Sequence, residues 1–318
     1  MTAQIIDANI NRVAEGLRVI EDFLRFIAQH KPLTDQLSTL RKTINESEVN
    51  KTTHLMARQT GTDMRAKERP RQRSSLKETL IANFKRVEEG LRVLEEYTGN
   101  ALYNSARYDT YMLEKAVILL AEKPLIQHGI YLISSEIDIL KQGMQWGCAL
   151  VQLRDKTATK DQIYNKAVEL KQVARQFKVP WIINDFIDIA QLLDADGLHT
   201  GQDDLPIPHL RQLMGDHKLL GRTTHSLDQG LTAQNDSADY VSVGPLWDTP
   251  SKPGRPGIGF DYLTCAAEKL TIPYVAIGGI NQTNIDQVMH FSPPLIGVIR
   301  DYKAIPKWQA AYFETVKE

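Results

Sequence analysis

The 318-residue sequence has only two cysteines, almost no net charge and no long apolar run, and each shortage narrows what it can be. Cys148 and Cys265 fit neither a metal-ligand spacing nor a disulfide framework, so both read as thiols inside a fold. A formal net charge of −1 argues against a nucleic-acid partner recruited by bulk charge. No stretch approaches the roughly 18 apolar residues that span a bilayer, and no apolar leader opens the chain. The expectation is a cytoplasmic protein with neither a membrane nor a nucleic-acid partner. No GxGxxG follows the first strand-like run, and no P-loop or glycine-rich kinase loop occurs. No Ser/His/Asp or Cys/His arrangement stands out. What remains is chemistry that positions charges, without a covalent nucleophile.

What the chain does have is the composition of a globular protein, 42% hydrophobic and 24% charged, with length for one or two domains. Residues 1–124 carry 20 Lys+Arg against 17 Asp+Glu, and the remainder 18 against 22. The basic excess concentrates in MRAKERPRQR, with Arg65, Lys67, Arg69, Arg71 and Arg73. It reads as a solvated loop or as an anchor for an anionic ligand.

Residues 1–124 have the rhythm of an all-α domain. Ile10, Val13, Leu17, Ile20, Phe23, Leu24 and Ile27 recur at three- and four-residue steps, as one face of a helix requires. Further helices are expected over LTDQLSTLRKTINESE, from Leu76 to Tyr97 with a stop at Thr98–Asn100, and on to about Ala121. The first and third are copies of one another. Asn9, Arg12, Glu15, Gly16, Leu17, Arg18, Val19 and Glu21 reappear 74 residues later as Asn83, Arg86, Glu89, Gly90, Leu91, Arg92, Val93 and Glu95. A helical glycine costs about 1 kcal/mol against alanine, so close approach of another backbone would offset it. The duplicate helices are therefore expected to pack about a pseudo-twofold axis, their glycine stripes facing. The repeated Arg and Glu should pair across or beside the contact.

Residues 125–318 alternate short β-rich runs with helical segments such as Asp161–Phe177 and Asn281–His290. GIYLIS, ALVQLRD, PWIIND, GLHT, KLLGRTTH, YVSVGP, PYVAIGG and LIGVIR make eight strands. Eight βα units in this length imply a (β/α)8 TIM barrel, making the whole chain α/β with an all-α domain ahead of it. Chemistry in such barrels sits where strands run into their following loops.

Alternation in QLRDK sends Gln152, Arg154 and Lys156 to one side, where three donors suit a phosphate or pyrophosphate. A barrel-interior salt bridge with Asp185 is the other reading. Asp185 and Asp204 close adjacent strands and are hard carboxylates that suit Mg²⁺ bridged to phosphate. TPSKPGRPGIG, with Thr249, Ser251 and Lys252, is a loop that closes over an anionic substrate or simply a long connection. IGGI, with Gly279, offers backbone N–H groups near a helix start. His199 and His225 serve as acid/base groups or, more plainly, as hydrogen-bonding scaffold.

In their order, QLRDK, IINDFIDIAQLLDADGLHTGQDD, TTHS, ADYVSVGPLWDTPSKPG and YVAIGGI resemble the thiamine phosphate synthase family over about residues 126–318. That resemblance implies a Mg²⁺-dependent transferase joining hydroxymethylpyrimidine diphosphate to thiazole phosphate. By motif, Gln152, Arg154, Lys156 and Asn184 would hold the pyrophosphate, and Asp185 and Asp204 would bind Mg²⁺. Thr223 stands where the family commonly has a serine near the pyrimidine. Thr249 and Ser251 would meet the thiazole phosphate, Lys252 the diphosphate, and Gly279 would hold phosphate through its backbone. Lys252, Thr223 and Lys156 are the expected catalytic side chains. One departure stands out: the last strand runs VIRDY where a serine is frequent. Arg300 would bind the thiazole phosphate, or turn outward and leave the task to the backbone of Ile299.

Two rivals are a thiazole-tautomerase-like relative and a catalytically silent phosphate-binding barrel. The first half resembles a helical domain found ahead of this barrel in cyanobacterial proteins. That domain is linked to hydroxymethylpyrimidine phosphate phosphorylation; an assembly module is the alternative. A homo-oligomer is compatible with all of this.

Overall fold

In a computed structural model the chain forms two compact units, residues 1–122 and 123–318. The structure describes residues 2–47, 51–57, 72–249, 254 and 256–315.

Among its described residues, the first unit consists of helices α1 (Thr2–Phe26), α2 (Lys31–Glu46), α3 (Lys51–Met56), α4 (Leu76–Thr98) and α5 (Ala101–Glu122). The short α3 was not expected. Local chemistry sets the ends of α4. Ser75 accepts the N–H of Glu78 at its start, and Gly99 takes a left-handed φ of 63° at its end while donating to the Glu95 carbonyl. Val13, Leu17, Ile20 and Leu24 of α1 interlock with Leu80, Phe84, Val87, Leu91 and Leu94 of α4, all fully buried.

The duplicated helices cross as expected, and the contact is reciprocal. A Cβ on Gly16 would lie 2.8 Å from Val87 Cγ2, and one on Gly90 would lie 2.7 Å from Val13 Cγ2. Each glycine therefore admits the valine of the other copy. Of the two expected arrangements, the repeated charges take the one beside the contact. Arg18 pairs with Glu21 and Asp22 along α1, and Arg92 with Glu95 and Glu96 along α4. Instead of crossing the contact, Glu21 turns to Arg41 of α2 at 2.9 Å and Glu95 to Asn104 and Arg107 of α5. Apolar stripes fill the crossing, so the carboxylates find partners on the flanking helices.

The second unit is a closed barrel of eight parallel strands: β1 (Gly129–Ser134), β2 (Leu150–Leu153), β3 (Trp181–Asn184), β4 (Gly197–Thr200), β5 (Leu219–Thr224), β6 (Tyr240–Val243), β7 (Tyr274–Ile277) and β8 (Leu295–Val298). Helices α6 (Ile137–Gln145), α7 (Lys160–Phe177), α8 (Ile187–Leu192), α9 (Ile207–Met214), α10 (Leu227–Asn235), α11 (Asp261–Lys269), α12 (Ile285–Met289) and α13 (Ile305–Thr315) alternate with them. GIYLIS and GLHT coincide with β1 and β4. The other six strands stop one or two residues short of the ends of the expected runs, and those ends leave the ladder to form the mouth.

Strand alternation divides the core in two. Tyr131, Leu150, Ile182, Leu219, Tyr240, Val275 and Leu295 fill the barrel interior. Leu132, Val151, Ile183, Leu198, Leu220, Val241 and Ile296 face the helices. Among the described residues, no helix is long and apolar enough to cross a membrane.

Candidate active site

The loops that follow the strands enclose a cavity of about 670 Å³. Gln152, Arg154, Lys156, Asn184, Asp185, Asp204, Thr223, Thr249, Gly279, Ile299 and Arg300 all line it. Ser251 and Lys252 lie outside the described residues, as do Arg65, Lys67, Arg69 and Arg71 of the basic stretch.

The QLRDK side chains share the cavity but sit at different depths. Gln152 is inside β2, only 1% exposed, and its Nε2 donates to the Tyr131 hydroxyl at 2.6 Å. The strand ends at Leu153, so alternation no longer governs Arg154 and Lys156, which stand at the mouth. Lys156 is ion-paired with Asp185, the partner of the alternative sequence reading, but at the mouth and not in the barrel interior: its side chain is 55% exposed. Between them Asp155 ties down the loop. Its carboxylate accepts from the backbone of Thr157 and Ala158 at 3.0 Å and from Lys166 Nζ at 2.8 Å. The Lys166 ammonium holds that carboxyl well below the usual carboxylate range.

Asp185 follows β3 with a left-handed φ of 63°, a conformation that aspartate tolerates better than most residues. Its N–H donates to the His199 carbonyl at 2.9 Å. Asp204 stands on the loop after β4, with Oδ2 accepting the Gly201 N–H at 2.7 Å. No group of three or more His, Cys, Asp or Glu side chains arranged to hold a metal occurs among the described residues. A cation between Asp185 and Asp204 would therefore draw further ligands from phosphate and water, which is how Mg²⁺ is usually held.

A buried hydrogen-bonded chain forms the floor. From Gln152 it passes to Tyr131, then Tyr131 to Tyr240 (2.8 Å), Tyr240 to His199 Nδ1 (3.2 Å) and His199 Nε2 to Thr223 Oγ1 (3.0 Å). Burial raises the titration of both phenols, so they remain neutral donors and acceptors. Both ring nitrogens of His199 are thus hydrogen-bonded, one of them to Thr223. His225 also lines the cavity, its Nδ1 bonded to the Gly244 carbonyl.

On the opposite wall, Arg300 turns toward the cavity, and its Nη2 donates to Thr249 Oγ1 at 3.1 Å. Gly278 and Gly279 hold φ of 104° and 73°, and a Cβ on Gly279 would lie 2.7 Å from Trp247 Cβ. The expected link from IGGI to a helix start is looser than the sequence suggests. Helix α12 begins only at Ile285, and the Gly279 carbonyl accepts from Asn281 and Asn284 at 3.0 Å each.

Sequence reasoning missed Tyr131, Tyr240, Asp155 and Arg222. Asp155 lay within QLRDK, but nothing marked it as the residue that shapes the loop. Tyr131 and Tyr240 read as ordinary strand aromatics. Arg222 carried a visible signal, a cation at a strand position that alternation gives to the apolar helix-facing layer.

A family model described as thiamine monophosphate synthase matches residues 127–301, and one described as the ThiD2 family matches residues 4–116. The thiamine-phosphate synthase of Synechocystis sp. is 35% identical, covering 94% of this chain and 90% of its own length. That of Parasynechococcus marenigrum is 38% identical, covering 93% and 90%. Among solved structures, the thiamine phosphate pyrophosphorylase from Pyrococcus furiosus is similar with a TM-score of 0.55 and 26% identity, covering 61% of this chain and 98% of that one.

Proposed function

This chain belongs to the thiamine phosphate synthase family and is a transferase, and from that premise we propose that its barrel joins hydroxymethylpyrimidine diphosphate to thiazole phosphate. The observation that supports this reading best is the convergence of the charged and hydroxyl side chains named above on one cavity at the strand ends.

In this reading Arg154 and Lys156 bind the departing diphosphate, and Asn184 adds a neutral contact. Asp185 and Asp204 would hold Mg²⁺, whose contribution there is to neutralise charge developing on the leaving group. Thr223, oriented by His199, faces the pyrimidine. Arg300 and Thr249 receive the phosphate of the thiazole; by family resemblance alone, Ser251 would join them and Lys252 would meet the diphosphate. The bond from the exocyclic carbon to diphosphate oxygen breaks with its electron pair on oxygen. The thiazole nitrogen then donates its lone pair to that carbon. No protein nucleophile is required: the residues align the two substrates and exclude water.

Incubating the full chain with both substrates and Mg²⁺ tests the proposal. Thiamine phosphate and pyrophosphate should form in equal amounts, and a chelator should stop both. A rearranged thiazole without joining would favour the tautomerase-like rival, and no product at all the silent barrel.

For the N-terminal unit we infer a role in phosphorylating hydroxymethylpyrimidine phosphate, supported by its match to the ThiD2 family. The full chain given that monophosphate and ATP should release the diphosphate; failure would favour an assembly module.

A further inference from the structure

Arg222 lies on β5, whose inward positions are marked by Thr223 at the cavity and Gly221 beneath the Tyr240 and His199 rings. Its side chain therefore leaves the strand on the helix-facing side, in a layer built from Leu198, Leu220 and Val241. There it is 8% exposed, and burial lowers its titration from the ordinary guanidinium value. A cation is costly in such a layer unless each donor is used.

Its donors go to one place. Nη1 donates to Thr200 Oγ1 at 3.0 Å and to the Gly201 carbonyl, and Nη2 to the Leu205 carbonyl at 2.9 Å. Gly201 and Leu205 flank Gln202, Asp203 and Asp204, so one rigid fork grips both shoulders of the loop between β4 and α9. The loop adds two inward ties. Asp204 Oδ2 accepts the Gly201 N–H at 2.7 Å, and Gln202 Nε2 donates to the Thr223 carbonyl at 2.5 Å.

We propose that Arg222 is a positioning residue that clamps loop 201–205 from behind and so holds Asp204 at the cavity for a diphosphate-bound divalent cation. The cation half of this statement rests on the functional reading above; the clamp does not. Lysine is no substitute, because a single ammonium lacks the planar fork that spans two carbonyls and a hydroxyl.

The test uses the full chain with Arg222→Lys, Arg222→Met and Asp204→Asn. Hydrogen exchange is read over residues 201–205, with amides of β4 and β5 as reference. Mn²⁺ binding in the presence of inorganic pyrophosphate is read by electron paramagnetic resonance. Both Arg222 variants should exchange at least about tenfold faster in the loop alone and bind Mn²⁺ at least about tenfold more weakly, a loss of the size typical for partners that orient metal ligands. Unchanged loop exchange in a folded variant would overturn the clamp. Faster exchange with unchanged Mn²⁺ binding, while Asp204→Asn binds weakly, would overturn the positioning role. Should Asp204→Asn bind Mn²⁺ normally, the cation reading of Asp204 fails, and loop exchange alone decides the clamp. If Arg222→Met does not fold, Arg222→Lys, which keeps the charge and the stem, supplies the same two readings.

Discussion

Lys156, on the loop after β2, and Asp185, the residue that follows β3, hold each other as an ion pair at the mouth of the cavity. Each fixes the other where a diphosphate–cation cluster would need both. Asp185→Asn, which keeps the side-chain shape and the left-handed backbone, should lower turnover at least about a hundredfold, as should Lys156→Ala. Because the two act as a unit, the double variant should lose far less than the product of the single losses. Steady-state kcat/KM for the four forms of the cycle measures this. Multiplicative losses would show two independent contacts.

Arg300 reaches Thr249 across the opposite wall, and the proposed function gives its guanidinium to the phosphate of the second substrate. Arg300→Ala should raise KM for thiazole phosphate about tenfold, with kcat within about twofold, the signature of lost uniform binding. KM for the pyrimidine substrate should not move. An unchanged KM for the thiazole would return phosphate binding to the backbone of Ile299.

Asp155 supplies a pH dependence. Its folded-state carboxyl titrates below the unfolded value of about 3.9, so its stabilising contribution is complete above that pH and lost as the solution becomes more acid. Asp155→Asn should therefore be less stable than the parent at neutral pH. The gap should narrow steadily from about pH 5 down to about pH 2, because protonation progressively removes in the parent what the substitution has already removed. Urea midpoints of both proteins across that range measure it, and a gap that stays constant would be the contrary result.

The helix crossing makes a prediction about stability alone. Alanine at position 16 gains about 1 kcal/mol of helix propensity but places its methyl group 2.8 Å from Val87 and 3.1 Å from the Asn83 carbonyl. Overpacking of this kind costs about 1–3 kcal/mol, so Gly16→Ala should lower the melting temperature of the N-terminal unit. Adding Val87→Ala should recover part of that loss relative to Gly16→Ala by vacating the space. Thiamine phosphate formation by the barrel should be unaffected. A melt unchanged by Gly16→Ala would mean that the helices separate at small cost.

Much of this was legible in the sequence because periodicity and strand ends are local properties. The eight β-rich runs announced the barrel, and the polar residues that ended them announced the mouth. The pairing of Lys156 with Asp185 was visible only as one of two readings, since it depends on two loops approaching across 29 residues of chain. Tyr131 and Tyr240 are 109 residues apart, and nothing local foretells that their hydroxyls meet at 2.8 Å in the barrel interior. The repeated helices predicted the crossing and the pairing of charges beside it, but not the further partners of the carboxylates. Which partner Glu21 takes depends on where Arg41 of α2 lies, and the repeat is silent about that.

The reciprocal fit of Gly16 with Val87 and Gly90 with Val13 has the form of an isologous contact, in which position i meets j and j meets i. Two separate chains, each bearing one such helical hairpin, would make the same contact as a homodimer whose population falls on dilution. Here a single polypeptide carries both halves, and association becomes an intramolecular event governed by tether length. Half of this unit is therefore, in effect, a permanently supplied subunit for the other half.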